Sequence, residues 1–426
     1  MNLRKIFLFG ASIFASVLVP GMLNAPGIVL PAGGAVNRGM GGATTGTAIE
    51  AVGSMYWNPA TITAFECDEL GFGFELIYAN HNISSAFPGV GAGSTDAETG
   101  ALPVPTIAWV HQTQHPDVKI GLGVFGTGGF SLNVGADASN PILSPPAVQG
   151  GVGVGGIKSD ALFFNLAPAL SMRLTDRLSF GLGPVIGMGK VSLDENAFAG
   201  ANTNGLYPRG DGTRYHWGMG AQLGFHYVHN CRWEFGANVK SPIWFEPFRY
   251  FSEDDSGLRR LDEVDIDLPM IVSGGLAYKG FEYVLLTADF RYVDYTSTEG
   301  FGDSPSYQAN GAANGLGWKD QFAMGLGAQF QLTERLIGRL GYIYTSELFE
   351  DESSTFFNLA SDLSYRHVLT LGSSFKLNGS ASVSAAYNYL FPWESSGPYI
   401  LPNAGAIPGT SVVTDFDAHI LTVGVN

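Results

Sequence analysis

Along residues 321–332, apolar side chains alternate one by one with polar or small ones. Phe322, Met324, Leu326, Ala328, Phe330 and Leu332 fall on one side; Gln321, Ala323, Gly325, Gly327, Gln329 and Gln331 fall on the other. Successive side chains of a strand face opposite sides of its sheet, so this segment reads as a strand with one greasy face. Trp217, Met219, Ala221, Leu223, Phe225 and Tyr227 oppose His216, Gly218, Gly220, Gln222 and His226 in the same way, and Val284 to Tyr292 oppose Thr287, Asp289 and Arg291. The pattern predicts strands over 70–82, 104–115, 117–128, 160–174, 177–193, 213–229, 231–251, 267–280, 283–297, 318–333, 335–347, 364–377, 380–392 and 415–426. Pro242 and Pro247 interrupt 231–251, but an even strand count favours one long bent strand there. Residues 26–66 do not alternate and are rich in glycine, alanine and threonine, with a short helix expected around 45–52.

The connections alternate too. Those at 115–117, 175–176, 230, 280–282, 334 and 378–379 are short; those between them, near 83–103, 129–159, 194–212, 252–266, 298–317, 348–363 and 393–414, are long. Outer-membrane barrels have short periplasmic turns and longer extracellular loops, so both termini are expected on the periplasmic side. The predicted fold is all-β: a 14-stranded antiparallel transmembrane barrel, residues 67–426, whose lumen holds residues 26–66 as an N-terminal hatch or plug. Asp289, Arg291 and Arg339 on the polar face are expected to pair inside the lumen. Tyr342, Tyr344, Tyr387 and Tyr389 suit an aromatic girdle.

Composition sharpens this. The 426 residues are 45% hydrophobic and only 14% charged, yet beyond the N-terminus no run approaches the ~20 apolar residues of a membrane helix. A lipid-facing barrel resolves the tension; a large soluble all-β protein is the alternative, disfavoured by the strand lengths. Arg4 and Lys5 before the apolar stretch 6–19, with Ala25 as a cleavage point, read as a signal peptide over 1–25. Removing those two positive charges takes the net charge from −16 to about −18, which gives no electrostatic reason to bind nucleic acid. Cys67 and Cys231 fall at the same rim about half a barrel apart, too far for a disulfide, which needs Cα atoms within about 7 Å.

Several motifs, in order, give the chain a family resemblance: Arg38-Gly39-Met40-Gly41-Gly42-Ala43, Tyr56-Trp57-Asn58-Pro59-Ala60, Leu268-Pro269, Trp318-Lys319-Asp320-Gln321-Phe322, Arg339-Leu340-Gly341-Tyr342 and Arg366-His367. The chain resembles the FadL/TodX outer-membrane hydrophobic-compound transporters over essentially its whole mature length. The resemblance implies passive uptake of fatty acids or hydrocarbons by a monomer in outer-membrane lipid, inserted by the barrel-assembly machinery. It implies a hatch at Asn58, Pro59 and Ala60, and an inward kink of the third strand that opens the wall sideways; the dense glycines Gly126, Gly128 and Gly129 mark the place. Two departures stand out. The chain stops at Val423-Gly424-Val425-Asn426 without the family's terminal aromatic residue, and none of Arg209, Arg214, Arg249, Arg259 or Arg260 matches its carboxylate contacts.

In the loop 129–157, Asp137 is the only charge, which is unusual for an extracellular loop. Phe130, Leu132, Ile142 and Leu143 there, with Phe356 and Phe357, either form a groove for a greasy molecule or pack loop against loop. Two glycine runs, at 121–126 and 151–156, fit G-x-G-x-x-G, but neither leads into a helix. No G-x-S-x-G occurs, and His216 and His226 are too far apart to share a metal, so no cofactor, metal or catalytic residue is expected. The competing functions are a general porin for small polar solutes and a lipid-modifying barrel enzyme.

Overall fold

A computed structural model describes residues 29–210, 214–253, 259–349, 352–361 and 363–426; the expected signal peptide lies outside these. Strands β1 (Glu69–Phe87), β2 (Ala101–Gln112), β3 (Val118–Val134), β4 (Ile157–Arg173), β5 (Leu178–Asp194), β6 (His216–Val228) and β7 (Trp233–Lys240) lead to β8 (Met270–Phe281). They continue through β9 (Val284–Asp294), β10 (Gln321–Gln331), β11 (Leu336–Thr345), β12 (His367–Lys376) and β13 (Ser382–Gly397) to β14 (Ser411–Val425). Each pairs antiparallel with its sequence neighbour, and β14 closes on β1 from Phe72/Val425 up to Ala86/Ser411. The sheet counts sixteen strands; setting aside the short side strands Gly91–Asp96 and Trp244–Phe245 leaves a closed barrel of fourteen.

The period-2 pattern is what places the side chains. Along β6, His216, Gly218, Gly220, Gln222, Gly224 and His226 are buried while Trp217, Met219, Leu223, Phe225 and Tyr227 are exposed. That arrangement is stable when the outer face meets hydrocarbon. Several strands run further than the alternation suggests: β1 reaches Phe87, β3 reaches Val134 and β14 begins at Ser411. Their outer ends leave the membrane band and build an extracellular collar.

Two expectations are corrected. Residues 231–251 are not one bent strand. β7 ends at Lys240, Trp244–Phe245 folds back onto β6, and Phe248–Glu253 pairs with Arg259–Val264 in a separate hairpin. Pro242 and Pro247 sit at the two breaks, where a missing N–H ends a ladder. The helix expected around 45–52 instead forms later. Helices α1 (Ala35–Gly39) and α2 (Ala51–Trp57) flank a run of turns, and α2 starts where the Glu50 carboxylate accepts from Val52 N and Gly53 N at 2.7 and 2.6 Å. Cys67 and Cys231 are free and exposed.

Residues 32–63 are almost entirely buried inside the barrel. The fit against the wall is backbone on backbone. Gly41 and Gly42 have φ of +61° and +72°, and a Cβ on Gly41 would stand 2.6 Å from the Leu326 carbonyl. Opposite them the wall presents its own glycines: a Cβ on Gly325 or Gly327 would meet the Gly41 or Met40 carbonyl at 2.5 Å. The inward glycines are therefore the docking face for the segment they enclose.

Candidate functional site

Above the buried N-terminal segment, the extracellular collar surrounds an apolar chamber with a cavity volume of about 140 Å³, with Phe130, Phe163, Phe198, Phe301, Phe356 and Phe357 among its walls. Phe130, Ala360 and Ser361 also line a second space with a cavity volume of about 80 Å³, which runs down past Gly129 and Leu132 to Val29 and Leu30. Val29 borders a third, smaller space against α2, with Met55, Tyr56 and Lys240. The candidate groove residues thus divide. Phe130, Phe356 and Phe357 line the chamber and Leu132 the space below it. Ile142 and Leu143 are fully buried in a core between loops with Ile83, Phe87, Tyr399 and Val412, so they hold the roof and line neither space. Loop packing and an apolar space coexist, built from neighbouring residues. Helix α3 (Glu352–Phe357) carries Phe356 and Phe357, and the loop that follows is fixed by Asn358, which accepts from Trp318 Nε1 at 2.6 Å and donates to the Leu316 carbonyl.

The wall beside the second space is incomplete. β2 pairs with β3 only from Thr106/Phe125 downward. Higher up, the Glu98 amide donates to the Asn133 carbonyl at 2.7 Å, and between these two ties the facing edges 99–105 and 126–132 share no ladder. On the β3 side the register slips between Gly126 and Gly128, leaving Thr127 as the extra residue of a bulge, and Gly129 has φ of +159°. On the β2 side, Pro103 and Pro105 remove two backbone donors. From within the lumen, the Leu30 amide donates to the Thr127 carbonyl at 2.8 Å and Val29 bridges Gly128. Tyr56 of α2 donates to the Leu30 carbonyl at 2.9 Å, so this N-terminal stretch joins the bulge to the buried segment.

Asn58, Pro59 and Ala60 lie at the C-terminal end of α2, all fully buried. Asn58 Nδ2 donates to the Thr45 carbonyl and to the Phe225 carbonyl of β6, each at 2.9 Å, while its Oδ1 accepts from Ala60 N at 3.1 Å. One side chain therefore closes the turn, ties two parts of the segment together and fastens it to the wall. Around it the lumen is polar, and the segment pairs with part of that polar lining, leaving buried atoms such as Arg38 Nη1, Asp289 Oδ1 and Arg291 Nε without a hydrogen-bond partner among the described residues. Arg38 pairs with Glu75 of β1 at 2.6 Å, both fully buried. Asp289 accepts from Thr45 N and from Arg291, whose guanidinium lies 3.7 Å from the Trp57 ring centroid. Arg339 does not join that pair; it donates to Gln329 and Ser374.

Residues 16–426 match the family described as outer membrane protein transport protein (OMPP1/FadL/TodX). The chain belongs to this family. That makes it an outer-membrane transport protein and not an enzyme. Solved structures share the fold. The Pseudomonas putida toluene transporter TodX is 14% identical with a TM-score of 0.65, covering 93% of this chain and 99% of its own. A Pseudomonas aeruginosa FadL homologue is 14% identical with a TM-score of 0.69, covering 94% and 99%. The Ralstonia pickettii toluene transporter TbuX is 16% identical with a TM-score of 0.62, covering 93% and 98%. No curated protein matches the chain by sequence.

In this FadL/TodX-family barrel, sequence reasoning passed over three features. Pro103 and Pro105, opposite the glycines of β3, were a legible sign of an unpaired edge. Lys240, whose Nζ donates to the Tyr56 carbonyl and lies 4.8 and 4.9 Å from the Tyr56 and Trp57 ring centroids, had no local signature. Neither had Glu195, the one carboxylate among the residues that line the chamber. Of the arginines named as carboxylate contacts, Arg209 pairs with Asp194, Arg249 with Glu263 and Arg260 with Asp262, and none of the five lines the chamber.

Proposed function

We propose that this protein takes up hydrophobic small molecules, fatty acids or hydrocarbons, across the outer membrane without cofactor or energy input. The molecule enters the aromatic chamber from outside, passes Phe130 into the second space, and leaves sideways into the membrane between the unpaired edges of β2 and β3. Residues 26–66 act as the hatch that keeps water and ions from following. The protein works as a monomer, inserted by the barrel-assembly machinery.

The observation that carries this reading is the wall gap. An apolar space that ends against two strand edges without mutual hydrogen bonds, sealed from within by Val29 and Leu30, suits lateral release into lipid and suits nothing a polar-solute porin needs. Moving an apolar molecule from chamber to membrane core avoids re-exposing its surface to water, at about 25 cal/mol per Å².

The test is uptake of labelled toluene and labelled oleate by cells lacking their own importer. Two double variants close the gap from opposite sides: Gly126→Val with Gly128→Val, and Pro103→Val with Pro105→Val. Both are expected to bring uptake down to the empty-vector level while the barrel stays surface-exposed and heat-modifiable. Normal uptake by the folded variants refutes the lateral exit. Should the wild-type chain import neither compound, hydrophobic uptake of these classes fails, and single-channel conductance then tests the porin.

A further inference from the structure

The chamber has a throat. Gly156, Ile157, Glu195 and Tyr207 line both the chamber and a more open, polar vestibule outside it. The vestibule carries charges of both signs, Lys158, Asp194 and Arg209, whereas no lysine or arginine is among the described residues lining the chamber. Glu195 follows β5 directly and is half-buried. Burial, and then the adjacent Asp194, push its carboxyl up to about 7, with Arg209 opposing them. Arg209 Nε lies 3.5 Å from Asp194 Oδ1, and Lys158 is the cross-strand register partner of Asp194 on β4. The Tyr207 hydroxyl is already used, since it donates to the Gly311 carbonyl at 2.7 Å and is hydrogen-bonded by Tyr307. The Glu195 carboxylate has no hydrogen-bond partner among the described residues.

We propose that Glu195 is a specificity filter at the chamber entrance, which admits uncharged apolar molecules, favours those bearing a hydroxyl donor (an alcohol or phenol), and turns away carboxylates. The proposal rests on the uptake reading above and narrows its substrate class. An anion crossing the throat meets a like charge while the nearer arginine, Arg209, is paired with Asp194, and two such charges about 5 Å apart at an effective dielectric near 20 repel strongly enough to weaken binding by tenfold to roughly a hundredfold or more. A neutral alcohol meets instead an unpaired acceptor, and charge-assisted hydrogen bonds are among the stronger ones. Lys240 does not rescue a carboxylate at this point, because it lies in the separate space against α2 and its Nζ is engaged by the Tyr56 carbonyl and two rings.

The experiment uses the purified full chain in detergent and two fluorescent probes of one shape, 2-naphthylmethanol and 2-naphthoate, titrated at about pH 8.5, where Glu195 and the naphthoate are both ionised. The wild-type protein is expected to bind the alcohol about ten- to a hundredfold tighter than the carboxylate. Glu195→Gln, which keeps an acceptor and removes the charge, brings the two within a few-fold by improving naphthoate binding; Glu195→Lys inverts the preference. Heat-modifiability verifies that each variant is folded. Equal wild-type binding of the two probes, or an unchanged ratio in both variants, removes the filter and leaves the uptake reading standing. If neither probe binds to any of the three proteins, the chamber is not a ligand site and the filter falls with the uptake route drawn through it.

Discussion

Asn58→Ala is the substitution with the clearest quantitative consequence for the proposed hatch. It deletes two donor bonds to the Thr45 and Phe225 carbonyls and one acceptor bond from Ala60 N, made by a fully buried side chain. Each bond contributes about 0.5–1.5 kcal/mol net, and the two carbonyls left without the amide add to the loss, so the closed position weakens by roughly 2–4 kcal/mol. A shift of that size raises the population of any displaced state by about thirty- to a thousandfold. Single-channel recording in planar bilayers reads it directly. The wild-type barrel should be nearly silent, with Asn58→Ala giving frequent brief openings. Asn58→Asp should be at least as leaky, because the carboxylate still accepts from Ala60 N but sets negative oxygen against two carbonyl oxygens. If both variants fold and remain as silent as the wild type, Asn58 merely shapes a turn, and the hatch is held by something else.

Other perturbations separate the forces that hold the lumen. Glu75→Gln leaves Arg38 as an uncompensated buried charge and should cost about 3–5 kcal/mol, read as a lowered denaturant midpoint of the detergent-refolded barrel; an unchanged midpoint contradicts the pairing. Gly41→Ala forces a side chain into left-handed backbone against the Leu326 carbonyl and should reduce the yield of heat-modifiable barrel, whereas Gly379→Ala, with nothing within 4 Å, should not; equal yields dismiss the glycine docking face. Because the Glu195 carboxyl is raised to about 7, it gains a proton as pH falls through that value; the charged or titratable groups around it are Asp194, Arg209, Lys158 and Tyr207, whose hydroxyl burial pushes up. Binding of 2-naphthoate should therefore strengthen between about pH 8.5 and 5.5 in the wild type and stay flat in Glu195→Gln; parallel pH profiles assign the effect elsewhere.

The strands were legible because their signal is local. Each inward or outward assignment along β6 or β10 needs only the residue two places away, and lipid outside makes the alternation strict. The failures occur where a contact many residues distant takes over. Residues 231–251 alternate well enough to read as one strand, but the end of β7 is decided by Pro242 and by pairing of Trp244–Phe245 with Gly218 and Met219 on β6. Likewise the turns at 44–50 owe their shape to Asp289, far along the chain, accepting the Thr45 amide. The groove residues divided for the same reason. Phe130 and Ile142 look alike in sequence, yet the first faces empty space and the second meets Ser85 and its neighbours on β1.

The residue proposed to discriminate between substrates is harder still to read, and the reason is physical. In a loop sequence a glutamate such as Glu195 is indistinguishable from any solvated surface charge, because its consequence depends on what is absent from its surroundings. Only when the barrel brings Phe198, Phe301 and Phe357 around one space does the same carboxylate become the one charged side chain among the described residues that line that chamber. The gap in the wall works in the opposite direction. Its two halves, Pro103 and Pro105 on one strand and Gly126, Gly128 and Gly129 on the next, are each visible in the sequence as weak strand formers. What the structure adds is that they lie on facing edges, so two local weaknesses coincide where the ladder between β2 and β3 stops, beside the second space.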